Sequence, residues 1–68
     1  MNSLAKARHE KGWSQTQLAC YADVAIGIVC RLERNNSMDV RLSTMRKLSN
    51  ALEKPMTEVF ADFFTTKF

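Results

Sequence analysis

Arg31 and Arg34 stand one helical turn apart. At about 100° per residue they share a helix face with Gly27, while Val29 and Leu32 fall on the opposite one. A guanidinium is a permanently charged fork of N–H donors, suited to anionic oxygens. Taken alone, two such arginines are as well explained as solvated charges. Other chemistry is thinly supplied. Cys20, Cys30 and the single His9 are too few for a zinc site. The two thiols are expected to be reduced, with a redox role for Cys30 only a minor alternative. His9 is expected to be exposed and idle. No nucleophile–base pair, paired carboxylates, phosphate loop or metal cluster can be assembled, so an enzyme is not expected. Nor is a cofactor, a metal or a small-molecule ligand.

The elements that must carry the arginines follow from length and composition. Sixty-eight residues suffice for one domain, assigned here to residues 1–68 with 64–68 as a tail. A chain this short buries only about 60% of its unfolded surface, and oligomerisation is an ordinary remedy. Hydrophobic residues make up 46%, and only two glycines and one proline interrupt the chain, which favours helices joined by short turns. The net charge of +3 suits nucleic acid or an anionic surface, though many small domains share it. No apolar run approaches the ~20 residues that span a bilayer, and no signal-peptide pattern opens the chain. A cytoplasmic protein without membrane contact is expected.

The punctuation predicts an all-α fold of five short helices. Ser3 is the expected cap of a first helix, Leu4 to Lys11, which Gly12 ends. Ser14-Gln15-Thr16-Gln17 has the pattern of a capping box, with Trp13 and Leu18 placed as a hydrophobic staple, opening a helix from Gln15 to Ala22. After a turn at Asp23-Val24 a third helix runs from Ala25 to Arg34, stopped by Asn35-Asn36-Ser37. Leu42, Met45, Leu48 and Leu52 give the fourth, ending near Glu53, a buried stripe. Pro55 separates it from an apolar segment over 56–64.

Two short helices joined by a tight turn, Gln15–Ala22 and Ala25–Arg34, make a helix-turn-helix unit. The stretch from Ser14 to Ala19, then Asp23-Val24, then Val29 to Asn35, resembles the lambda-repressor/Cro (Xre) family. Arg8 and the run Lys47 to Leu52 fall in the same register, so that the likeness covers roughly Leu4 to Phe60. Asp23 and Asn35 stand where the family usually has glycine; both tolerate unusual backbone angles.

The resemblance implies roles residue by residue. Arg8 and Glu33 match an internal ion pair. Gln15 matches a phosphate contact at a helix start, and Gln17 beside it is taken as a further DNA contact. Ala25, Ile26, Gly27 and Arg31 match the groove-facing positions, with Arg31 the main reader, by a two-pronged bond to guanine. Ile26 and Gly27 depart from the polar residues common there; they leave packing on a thymine methyl and close backbone approach. Arg34 is a further contact, and Asn35 and Arg41 sit where the loop touches the DNA backbone. Lys6 and Lys11, with Arg31, Arg34 and Arg41, would attract phosphate.

Phe63, Phe64 and Phe68 exceed what so small a core can bury and are expected to form a dimer interface. The whole implies a homodimeric, sequence-specific regulator of double-stranded DNA, repressor or Cro/controller-like, on a palindromic operator. The alternative is a protein-interaction or antitoxin-type module that kept the fold and lost base readout.

Overall fold

The structure, a computed structural model, describes residues 2–34 and 40–61. Five helices follow one another: α1 (Ser3–Lys11), α2 (Gln15–Ala22), α3 (Ile26–Arg34), α4 (Leu42–Leu52) and α5 (Met56–Val59). Among the described residues there is no strand. No helix among them is long and apolar enough to cross a membrane.

Helices α1, α2 and α4 stop where local chemistry can close the backbone. Gly12 ends α1 at φ 74°, a left-handed angle that glycine adopts without steric cost. Asp23 ends α2 and Glu53 ends α4, both at φ 58°. Their N–H groups return to carbonyls of the last turn, Asp23 to Cys20 at 3.2 Å and Glu53 to Asn50 at 3.1 Å. The cap of α1 is Asn2 rather than Ser3: Asn2 Oδ1 accepts the Ala5 N–H at 2.9 Å. Its amide nitrogen then donates to the Leu32 carbonyl at 2.7 Å, so one side chain closes α1 and ties it to the last turn of α3.

Helix α2 packs against α3 and α4, while α1 lies against α5, α3 and α4. One core results, built from Leu4, Ala7, Leu18, Ala19, Ala22, Val29, Leu32, Met45, Leu48, Leu52, Val59 and Phe60. Phe60, just after α5, is its largest fully buried side chain. The apolar stripe expected on α4 is shorter than its spacing promised. Met45, Leu48 and Leu52 are buried, but Leu42, in the first turn of α4, is exposed. Helix α3 begins at Ile26 rather than Ala25, and α4 ends at Leu52 with Glu53 as its cap. The last expected segment is helical at Met56–Val59, and its remainder past residue 61 lies outside the described residues.

Ser49 is the exception in this interior. Its residue is 3% exposed, and its hydroxyl has no hydrogen-bond partner among the described residues. A buried hydroxyl that gives up water without a partner costs about 1–3 kcal/mol. Alanine also favours a helix interior over serine. Ser49→Ala is therefore expected to raise stability by about 1 kcal/mol in chemical denaturation; a lower midpoint would show that the hydroxyl is satisfied in solution.

Candidate nucleic-acid interface

Helix α2 starts on a complete capping box. Ser14 Oγ accepts the Gln17 N–H at 3.0 Å, and Gln17 Oε1 accepts the Ser14 N–H at 2.8 Å. The N–H groups at the very start of α2 stand at the positive end of the helix dipole. Trp13 leads in, packed against the core and edge-on to Tyr21 with ring centroids 4.7 Å apart. At the other end of α2, the Val24 N–H bonds the Ala19 carbonyl at 3.0 Å and turns the chain into α3.

Glu33 joins three helices. Its carboxylate accepts Arg8 Nε at 2.6 Å and Nη2 at 2.9 Å, a two-pronged pair with both side chains about nine-tenths buried. The oxygen that takes Nη2 also accepts Gln15 Nε2 at 3.0 Å. Gln15 Oε1 in turn accepts the Cys30 thiol at 3.3 Å. Arg8 has two further bonds, to the Trp13 carbonyl at 2.8 Å and to His9 Nε2 at 3.0 Å. Thus α1 grips the linker before α2 and the last turn of α3 at once. His9 is exposed as expected but is not idle.

Burial divides α3 cleanly. Val29 and Leu32 are 0% exposed, whereas Ala25, Ile26, Gly27, Arg31 and Arg34 are exposed. Neither arginine has an ion pair among the described residues. Gly27, Arg31 and Arg34 thus share one open face of α3, with Ala25 and Ile26 exposed at its start. Gln15 borders that face across a shallow cleft lined by Gln15, Cys30, Glu33 and Arg34. Both ends of the Gln15 side chain are held by α3, through Glu33 and Cys30. Gln17 has its carbonyl oxygen committed to the cap. Arg41 is exposed at the start of α4, and Asn35 lies outside the described residues, as do Phe63, Phe64 and Phe68. Lys11 is not a free cation: it bonds Glu53 and sits 5.6 Å from the Trp13 ring centroid. Both cysteines are free thiols. Among the described residues no group of three His, Cys, Asp or Glu could hold a metal ion.

A family model described as Helix-turn-helix matches residues 4–59. The chain belongs to that family, of the Xre/lambda-repressor-like type. No curated protein and no solved structure matches it. The match takes in all five helices, so this helix-turn-helix protein has the lambda-repressor-like all-α fold, and its family is one of DNA-binding regulators.

Two residues of the site were not visible as such in the helix-turn-helix sequence. Asn2 was passed over for Ser3, although asparagine caps at least as well as serine and stands one residue earlier. Cys30 carried no recognisable signal for its bond to Gln15, because the two are brought together only by the crossing of α2 and α3. Arg8→Ala would leave the Glu33 charge buried beside Gln15 alone. A loss of about 3–5 kcal/mol is expected in thermal or chemical unfolding. A melt indistinguishable from the parent would show that this pair does not hold the domain together.

Proposed function

We propose that this helix-turn-helix protein is a sequence-specific transcriptional regulator, acting in the cytoplasm as a homodimer on a palindromic operator, with α3 in the major groove and repression as its output. The observation that carries the reading is the open face of α3: Arg31 and Arg34 stand exposed without ion pairs among the described residues, while Val29 and Leu32 anchor the opposite face in the core. A helix held from behind in this way fits a groove about 12 Å wide and presents donors to base edges. Arg31 takes guanine by two parallel N–H bonds, and Arg34, Arg41 and the start of α2 at Gln15 and Gln17 settle on phosphates. Paired recognition helices on a two-fold axis enter successive major grooves about 34 Å apart.

A second reading has its own observation. Ile26 is 43% exposed and Tyr21 57%, apolar surface of the kind a protein partner would cover. Selection of bound duplexes from a random pool separates the two. A regulator enriches an inverted repeat and prefers it about a thousandfold over random duplex at physiological salt. Absence of that preference at every salt concentration favours the interaction module. Arg31→Ala is expected to abolish the preference while the thermal melt stays unchanged; retained selectivity would remove Arg31 from the reading role. For the dimer, replacing both Phe63 and Phe64 by serine is expected to give monomers in sedimentation, and an intact dimer would move the interface elsewhere.

A further inference from the structure

Nothing among the described residues explains Gly27. Gly12 needs its left-handed φ of 74°, but Gly27 has no positive φ and lies within the first turn of α3. A Cβ built on it meets nothing within 4 Å. Neither backbone strain nor crowding calls for a glycine here, and glycine weakens a helix relative to alanine. Its neighbours sharpen the point. Ala25 and Ile26 are exposed on the same turn, and none of the three side chains can form a hydrogen bond.

We infer that this turn is a thymine reader: Ile26 packs on a 5-methyl group in the major groove, and the bare Cα of Gly27 lets α3 approach the base edge closely enough for that contact. The inference rests on α3 being the DNA-reading helix and names the bases its first turn takes. Among major-groove edges only thymine offers an apolar feature; adenine, guanine and cytosine offer donors and acceptors that Ile26 would strip of water without replacing them. Dispersion contacts are best near 3.5–4.0 Å, so a Cβ added at Gly27 would hold the helix off by a distance that forfeits much of them. The turn lies at the N-terminal end of the helix, the part that meets base edges in this docking geometry. The exposed arginines one and two turns farther on, Arg31 and Arg34, frame the apolar patch with positive charge. That frame favours a polyanion over an apolar protein surface.

The test uses the full chain and the duplex enriched from the random pool. Deoxyuridine replaces each thymine in turn, removing one methyl group and nothing else. At the positions under the first turn, affinity is expected to fall about fourfold, the worth of one buried methyl group. Ile26→Ser should erase that sensitivity while leaving other thymines unaffected. Gly27→Ala should raise the melting temperature by a few degrees and weaken operator binding about tenfold, two effects of opposite sign that a purely structural role would not produce. Equal binding of every deoxyuridine duplex, or parental affinity in Gly27→Ala, overturns the inference while leaving α3 as the reader through Arg31. If no sequence is enriched from the pool, the regulator reading fails with it.

Discussion

The Glu33 carboxylate sets the geometry on which the rest depends. Burying an ionised carboxylate is costly unless every lone pair finds a donor, and here Arg8 supplies two and Gln15 a third. Those donors come from α1 and α2, so satisfying one charge on α3 fixes three helices relative to one another. Arg8 can reach both Glu33 and the Trp13 carbonyl only if the linker before α2 passes close to the end of α3. Asn2 reinforces the same junction from the start of α1 through its bond to Leu32. An ion pair of this kind adds orientation more surely than net stability, since its Coulombic gain is offset by desolvation.

Holding α3 from one side has a direct consequence for its other side. Val29 and Leu32 fill the core, the last turn is tied to α1, and no described element covers Gly27, Arg31 or Arg34. Among the described residues, the helices that could cover that face are spent on the core. The same economy puts Gln15 to two uses, its side chain locking α2 to α3 and its backbone N–H standing at the helix start.

Charge pairing sharpens the contrast between the two ends of the molecule. Lys11 bonds Glu53, and Lys54 bonds both Glu10 and Glu58, tying α1 to the end of α4 and to α5. The hydrogen bond from Lys11 holds the Glu53 carboxyl below its usual range, and the bonds from Lys54 to Glu58 and Glu10 raise the lysine. For Glu53 the stabilisation is present at neutral pH and fades as the pH falls through the lowered value. Glu10, Glu53 and Glu58 are thus paired away from α3, whose Arg31 and Arg34 have no ion pair among the described residues.

Local chemistry in the sequence was sufficient for much of the fold. The capping box at Ser14, the glycine stop at Gly12 and the spacing of Val29 and Leu32 depend only on residues within a turn or two of each other; α2 has its expected bounds and α3 starts one residue later than expected. The start of α1 was misplaced by one residue, since Asn2 and Ser3 are both competent caps; Asn2 takes the role, and its amide also bonds the carbonyl of Leu32, thirty residues away. Leu42 fits the helical stripe of α4 but is exposed, because periodicity states which face turns inward and not how far the neighbours extend. The bridge from Cys30 through Gln15 to Glu33 was not legible at all: its members lie on helices whose crossing is set by the core. The sequence by itself determined the helices and the polarity of α3; only the tertiary structure decided which donors surround Glu33, because hydrogen bonds between helices depend on packing distances that no local spacing encodes.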